Sequence, residues 1–190
     1  MKQALEWVEA ILIAFAIATF LHLFVFVPTR VSGSSMSPTL SDGEFLIVSK
    51  ISRVMQSVPN YGDIIIIDSR TKEKRTYKDD VSEALMAYYA IIDPTKAVKD
   101  HWVKRVIAKG GDTLQFKEGK VYRNGELLNE PYIREPMKPI TTEPFTIPNN
   151  SVFVMGDNRN NSTDSRYIGA VPIDHILGNV KVRVNPPTLF

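Results

Sequence analysis

An apolar run of eighteen residues, 10–27, constrains the fold of this chain more than any other sequence feature. As a helix at about 1.5 Å per residue it would be about 27 Å long, close to the hydrocarbon thickness of a bilayer. Pro28 follows the run and is predicted to end the helix. The alternatives are a buried core helix and a removable signal peptide, but the run continues into residues 24–27 without a small-x-small cleavage site. We therefore predict one transmembrane anchor over residues 1–28 and a β-rich domain over residues 29–190.

The composition excludes several classes of protein. The chain has no cysteine, which rules out disulfides, thiolate metal sites and a cysteine nucleophile. Its 23 basic and 21 acidic residues give a formal net charge of +2, without the clustered basic face that nucleic acid requires. The Asp- and Asn-rich segment 157–166 lacks the glycine and the terminal glutamate of a calcium loop. We predict neither a nucleic-acid partner nor a metal or other cofactor.

The remainder of the chain has an all-β pattern. Residues 112–128 predict a hairpin with a type I′ turn at Asn124–Gly125, and the prolines between residues 131 and 148 predict an irregular connection. Short β-branched runs flanked by turn-forming residues predict strands. These runs lie at residues 45–48, 64–67, 102–108, 151–155 and 180–184.

Residues 69–100 interrupt this pattern and predict a surface insertion. Its first part is a charged stretch, SRTKEKRTYKDD, which is typical of a solvated face. Its second part predicts a short amphipathic helix whose apolar stripe packs on the β domain, with contact to membrane or substrate as the alternative. The stripe consists of Val81, Leu85, Tyr88, Tyr89 and Ile92.

Two segments have the residue types of nucleophilic catalysis. Residues 31–40 are rich in serine, a pattern that turn formation also explains. In HWVKRV, strand alternation places Lys104 on the same side as Trp102 and Val106. Burial there would lower the pKa of the lysine, whereas a lysine on an edge strand would simply extend to water.

Four motifs together resemble the type I signal peptidases, in particular the Gram-positive kind. In chain order they are GSSMSPTL, GDIIII, HWVKRVIAKGGD and MGDNRNNSTDSRYIGAVP. The resemblance implies a mainly β fold, the LexA-like antiparallel β-sheet of signal peptidases, with one N-terminal transmembrane helix and a short helical insertion. It also implies a membrane-bound serine endopeptidase that removes signal peptides from exported preproteins after small-x-small sites.

The resemblance also implies roles for particular residues. Ser35 matches the nucleophile and Lys104 the general base, and Ser162 matches the residue that orients the base. Residues that hold the site in shape would be Asp157, Asp164, Arg166 and Arg105. The substrate pockets would be formed by Val31, Met36, Leu40, Trp102 and Val103.

Oxyanion binding is implied for the Ser35 backbone N–H, with a second donor at Ser34 or Gly33 left open. The implied location is the cytoplasmic membrane, crossed once, with the catalytic domain on the extracytoplasmic face and preproteins and the lipid bilayer as partners. Two alternatives are a soluble self-cleaving repressor protease, which the apolar run disfavours, and a catalytically silent membrane-tethered β module, which the presence of both Ser35 and Lys104 disfavours.

Overall fold

The computed structural model describes residues 2–76, 78–83, 86 and 100–184. A long helix, α1 (Lys2–Phe24), is followed almost at once by strand β1 (Phe26–Arg30). Pro28 therefore lies inside a strand, and the prediction that it ends the helix is wrong. The aromatic Phe26 and the β-branched Val27 suit a strand, and β1 gains a full antiparallel ladder with β2 (Phe45–Ser49).

Apolar side chains project from α1 without a partner in the β domain. Ile11, Phe15 and Phe20 are each more than half exposed. Across the described residues, no helix combines the length and the apolar character that crossing a membrane requires. The predicted transmembrane helix is therefore not confirmed.

The five predicted strands are all present, and the structure adds shorter ones. After β1 and β2 the strands are β3 (Ile64–Asp68), β4 (His101–Lys109), β5 (Thr113–Lys117), β6 (Lys120–Arg123), β7 (Glu126–Leu127), β8 (Phe145–Thr146), β9 (Ser151–Met155), β10 (Val171–Pro172) and β11 (Ile176–Val184). Two short helices are α2 (Ile51–Val54) and α3 (Ser165–Ile168), residues 78–83 are also helical, and a 3-10 turn spans Ile173–His175. The fold is mainly β, as predicted.

Seven strands form an antiparallel sheet in the order β1-β2-β11-β3-β4-β9-β10. Strand β3 lies at its centre, and both of its faces are buried, which explains its uninterrupted run of isoleucines. Ile66 packs into a cluster on one face with Leu46 and Val48. Ile65 and Ile67 pack on the other face with the apolar residues of β4 and β9.

A second sheet, in the order β7-β6-β5-β8, packs against β4 and β9 through Leu114 and Phe116. The Asn124–Gly125 turn joins β6 to β7 with positive φ angles of 55° and 84°, as a type I′ turn requires. The predicted single hairpin is wrong in one respect, because a second tight turn at Glu118–Gly119 makes three strands of it. The predicted irregular connection over residues 131–148 is confirmed apart from β8.

The charged part of the insertion keeps residues 72–74, 76 and 78 exposed, as predicted for a solvated face, but Arg75 departs from this pattern. The Arg75 side chain is only 2% exposed and contacts the carboxylates of Asp68, Asp80 and Glu83. Asp68 ends β3 in a buried position, where a carboxylate needs a cationic partner. Of the predicted amphipathic helix, residues 78–83 are helical and Val81 is exposed, whereas Leu85, Tyr88, Tyr89 and Ile92 lie outside the described residues.

Candidate active site

Buried neighbours fix the position of Ser35 in the loop that follows β1. Met36 and Leu40 are each 1% exposed and pack with Val31 beneath the loop, and the Leu40 amide donates to the Met36 carbonyl. Ser35 itself is only partly buried. The side chains before and after Ser35 are thus buried in the core, whereas the Ser35 hydroxyl stays accessible.

Strand β4 brings Lys104 to this hydroxyl. Lys104 pairs with Ile65 of the central strand, its Nζ lies 3.0 Å from Ser35 Oγ and 3.1 Å from the Val103 carbonyl oxygen, and it is 4% exposed. Burial lowers the pKa of Lys104 to about 8. The positive charge of Arg166 acts in the same direction, while Asp164 opposes it. A substantial fraction of this lysine is therefore a neutral amine at mildly alkaline pH.

The alternation predicted for β4 is present in the structure. Lys104 Nζ lies 5.6 Å from the centre of the Trp102 ring, and Trp102 packs with Val106 on one face of the sheet. Val103 packs on the opposite face with Val31. The indole and the aliphatic wall beside it are part of what keeps Lys104 away from water.

The loop after β9 holds the nucleophile from the other side. The backbone N–H of Asn158 donates to the Ser35 carbonyl at 3.0 Å, and its side-chain amide donates to the Ser34 carbonyl at 3.1 Å. A Cβ on Gly156 would lie 2.5 Å from the Ser35 carbonyl oxygen, so only glycine fits there. Sequence reasoning did not single out Asn158 or Gly156, although both lie within the MGDNRNNSTDSR motif.

Two buried ion pairs give this loop its shape. Asp157 is fully buried and accepts from Arg105 at 2.6 and 2.8 Å. Asp164 is also fully buried and accepts two hydrogen bonds from Arg166, each of 2.8 Å. Burial alone would raise the pKa of Asp164, but the Arg166 guanidinium outweighs this and lowers the pKa. The role predicted for these four residues, holding the loop in shape, stays a prediction that these contacts support.

Ser162 lies against this loop but does not bond to the lysine. A Cβ on Gly156 would lie 2.3 Å from Ser162 Oγ, which places the hydroxyl beside the backbone next to Ser35. The hydroxyl is buried and makes no hydrogen bond of good geometry among the described residues, although it lies near enough to the Asp164 carboxylate to help lower the pKa of that group. The two hydrogen bonds of Lys104 Nζ go instead to Ser35 and to the Val103 carbonyl.

The candidates for oxyanion binding differ in their availability. The Gly33 amide donates to Asp42 Oδ1 at 2.8 Å and is therefore occupied. The Ser34 hydroxyl accepts from Asn161 Nδ2 at 3.0 Å, which leaves its own proton free to donate. Within the described residues, the Ser35 amide donates no hydrogen bond to the protein.

The five residues predicted to form substrate pockets separate into two groups. Val31, Met36, Leu40 and Val103 meet in one cluster beneath the nucleophile loop. Trp102 belongs to the cluster on the other face. A surface pocket of about 410 Å³ lies elsewhere, on the small sheet, where its lining includes Gln115, Tyr122 and Asn124. Among the described residues, no group of three or more His, Asp or Glu side chains is arranged to hold a metal ion.

An antiparallel β fold that places a serine hydroxyl within hydrogen-bond distance of a buried lysine has the geometry that a Ser–Lys hydrolase needs. Comparison with known proteins identifies the family. The family model described as "Signal peptidase, peptidase S26" matches residues 4–185. The chain belongs to this signal peptidase family and is a serine endopeptidase.

Several relatives are similar over nearly the whole chain. Signal peptidase I T of Bacillus subtilis is 37% identical over 187 residues, which cover 93% of this chain and 83% of the relative. Probable signal peptidase I-1 of Synechocystis is 35% identical and covers 95% of this chain and 82% of the relative. A solved signal peptidase I of Enterococcus faecalis matches with a TM-score of 0.45 and 25% identity, over 66% of this chain and 98% of that one. The Bacillus relatives agree with the prediction of the Gram-positive kind.

Proposed function

We propose that this type I signal peptidase removes signal peptides from exported preproteins with Ser35 as nucleophile and Lys104 as general base. The observation that carries the proposal is the 3.0 Å distance between Lys104 Nζ and Ser35 Oγ, together with the burial of Lys104, which is only 4% exposed. A serine hydroxyl needs a neighbouring base before it can attack a peptide carbonyl. Lys104 is within reach of the Ser35 proton and has a pKa of about 8.

The protonation state of Lys104 sets the direction of this contact. As an ammonium, Nζ can only donate to Ser35 Oγ. As a neutral amine it offers a lone pair, so the Ser35 hydroxyl donates along the same line and its proton moves to Nζ as Oγ attacks the scissile carbonyl. The resulting ammonium then protonates the leaving amine. In the second half of the reaction the neutral lysine takes a proton from water, which hydrolyses the acyl-enzyme.

The negative charge of the tetrahedral intermediate requires two donors. The Ser35 amide is one, because it has no other acceptor among the described residues. We assign the second to the Ser34 hydroxyl in preference to Gly33, because the Gly33 amide is bonded to Asp42 whereas Ser34 retains a free proton. Ser162 is assigned to orient Lys104 when substrate is bound, since its buried hydroxyl makes no hydrogen bond of good geometry elsewhere among the described residues.

The substrate pockets are assigned to the predicted residues that meet beneath the nucleophile loop: Val31, Met36, Leu40 and Val103. These side chains are apolar, and all but the half-buried Val103 are almost fully buried, so we expect them to leave room for small substrate residues only. This agrees with cleavage after small-x-small sites. Trp102 is assigned to the wall of Lys104 rather than to a pocket.

We also propose that α1 attaches the enzyme to the cytoplasmic membrane, with the β domain on the extracytoplasmic face. The exposed apolar side chains of α1, such as Ile11 and Phe15, are the support for this. Attachment raises the effective concentration of membrane-held substrates near Ser35. Extraction of membranes with alkaline carbonate tests it, and release of the full chain into the soluble fraction would contradict attachment by α1.

The dyad is tested by cleavage of a preprotein by purified variants in detergent. Ser35→Ala and Lys104→Ala are expected to lower kcat by about 10²–10⁴-fold or more, and Lys104→Arg is expected to fail as well because a guanidinium stays charged. The matched controls are Ser32→Ala in the same loop and Lys109→Ala on the same strand, which should cleave normally. Wild-type cleavage by Ser35→Ala or Lys104→Arg would refute the dyad.

A further inference from the structure

Two residues of the irregular connection after β7, Glu130 and Tyr132, contact the loop that holds the nucleophile. The Glu130 carboxylate binds Arg159 through two hydrogen bonds of 2.5 and 2.8 Å, and its side chain is only 8% exposed. Arg159 is 2% exposed and also donates to the Gly156 carbonyl at 3.1 Å. Glu130 is therefore joined through one guanidinium to the backbone that touches Ser35.

Tyr132 reaches the same loop from a second direction. Its ring lies 4.0 Å from the Arg105 guanidinium, which in turn binds Asp157. Its hydroxyl donates to Glu130 at 3.1 Å, so the two side chains form one unit. The backbone N–H of Arg134 adds a hydrogen bond of 3.3 Å to the Asp157 carbonyl. We refer to residues 130–134 as the strap.

The strap and the nucleophile lie on opposite ends of one short chain of contacts. Glu130 and Tyr132 contact Arg159 and Arg105. Arg159 donates to the Gly156 carbonyl, and Arg105 donates to the Asp157 carboxylate. The next residue, Asn158, donates to the Ser35 carbonyl. A displacement of the loop by a fraction of an ångström is therefore passed directly to Ser35, while Lys104 stays on its own strand in the large sheet.

We propose that Glu130 and Tyr132 are positioning residues for peptide-bond cleavage, which set the distance between Ser35 and Lys104 through Arg159 and Arg105. The proposal rests on the proposed function of the dyad. Neither residue touches the reacting atoms. Their effect is expected in kcat, because proton transfer from Ser35 to Lys104 depends on the distance between them. KM should change little, because the pocket side chains are anchored in the buried cluster beneath the nucleophile loop and do not contact the strap.

The experiment measures kcat, KM and the pH dependence of kcat/KM for a signal-peptide substrate with the full-length enzyme. Glu130→Gln and Tyr132→Leu should lower kcat by about tenfold or more with KM within about twofold, since misplacement of about 1 Å can cost about a hundredfold. Tyr132→Phe, which keeps the ring over Arg105, should recover most of the loss. Matched controls are Glu126→Gln and Tyr122→Leu on the neighbouring strands, which should keep the wild-type kcat.

The pH profile separates positioning from general loosening of the site. If only Ser35 moves, the plateau value of kcat/KM falls while the midpoint of its pH profile stays near pH 8, because the burial of Lys104 is unchanged. A wild-type kcat in folded Glu130→Gln and Tyr132→Leu would overturn the proposal. A loss that only follows the unfolded fraction in thermal unfolding, or a midpoint shifted towards that of free lysine, would overturn it as well.

Ser35→Ala and Lys104→Ala are measured in the same assay. Wild-type cleavage by either would refute the dyad itself. If both are inactive while the strap variants keep the wild-type kcat, only the positioning role fails.

Discussion

The backbone N–H of Asn158 donates a 3.0 Å hydrogen bond to the carbonyl oxygen of Ser35. This bond joins two motifs that are far apart in the sequence. The loop that contains Asn158 begins where β9 ends, and Met155 of β9 pairs with Arg105 beside Lys104. The pairing of β4 with β9 thus fixes both Lys104 and the loop that holds Ser35. The sheet thereby controls the distance between these two residues.

Gly156→Ala tests this arrangement. The added methyl would lie 2.5 Å from the Ser35 carbonyl oxygen and 2.3 Å from Ser162 Oγ, so the nucleophile loop has to move. We expect a loss of kcat of about a hundredfold, as for a misplacement of about 1 Å, in a protein that still unfolds cooperatively. Steady-state kinetics and thermal unfolding measure the two effects. Unchanged kcat in the folded variant would contradict the close contact.

Combining this change with Ser162→Gly removes one of the two clashes. If the Ser162 hydroxyl has no role in catalysis, the double variant should have a higher kcat than Gly156→Ala, because one clash is relieved. Because we assign this hydroxyl to the orientation of Lys104, we expect no such recovery. A double variant less active than Gly156→Ala would therefore support the assignment of Ser162 to the orientation of Lys104.

Lys104→Met should stabilise the protein at neutral pH. The pKa of Lys104 is about 8 in the folded state and 10.5 for a free lysine, so the unfolded state binds more protons between these values. Below pH 8 the buried ammonium therefore lowers the free energy of unfolding by about 3 kcal/mol, at about 1.4 kcal/mol per pKa unit. The free energy of unfolding rises as the pH increases towards 10.5. Methionine removes this penalty, but it also removes the hydrogen bonds of the amine, which costs about 1 kcal/mol.

Urea unfolding at several pH values measures this difference. The advantage of the methionine variant should be largest at pH 7 and should shrink between pH 8 and 10.5. Lys109→Met, at a half-buried position on the same strand, is the matched control for the loss of a lysine side chain. A methionine variant less stable than the wild type at pH 7 would show that burial of the amine is not costly.

Arg75→Met should destabilise the protein by about 3–5 kcal/mol at neutral pH, because Asp68 is only 2% exposed and would lose its buried cationic partner. Burial alone would raise the pKa of Glu83, but contacts with His101 and Arg75 lower it to about 2. The pKa of Asp68 is also far below its usual value, because hydrogen bonds from Arg70 and the charge of Arg75 outweigh burial. Such carboxylates stabilise the fold fully above about pH 4.5, and this contribution is lost as pH falls through the folded pKa values.

The difference in free energy of unfolding between the wild type and Arg75→Met should therefore become smaller as the pH is lowered towards 2. Chemical unfolding at pH 7 and pH 3 measures it, with Lys74→Met at an exposed neighbouring position as control. Equal stability of wild type and Arg75→Met at pH 7 would show that the insertion is not held by this network.

Local patterns were enough to predict the strands that matter for the site. The buried run of isoleucines in β3 and the alternation around Lys104 depend only on near neighbours and on the two faces of a strand. The resemblance supplied the pairing of Ser35 with Lys104, because no local rule brings together residues in separate segments of the chain. Their 3.0 Å separation is a property of the assembled sheet.

Other features depend on contacts that a local pattern does not contain. Phe26 and Val27 continue the hydrophobic run but belong to β1, because pairing with β2 outweighs extension of the helix. Arg75 lies in a stretch of charges that looks solvated, and only the burial of Asp68 at the end of β3 explains why it turns inward. Glu130 and Tyr132 belong to none of the four motifs, and their contacts with the catalytic loop follow from how the irregular connection folds back.

The ionisation of Lys104 is the central claim, and NMR titration of its side-chain nitrogen tests it most directly. The Nζ signal is identified by its absence from Lys104→Met and followed from pH 6 to pH 11 in the Ser35→Ala enzyme, which does not turn over substrate, and in the wild type. We predict a midpoint near pH 8 in the wild type, far below the 10.5 of a free lysine. A midpoint at or above 10 in the wild type would mean that Lys104 is an ammonium under working conditions and cannot take the Ser35 proton.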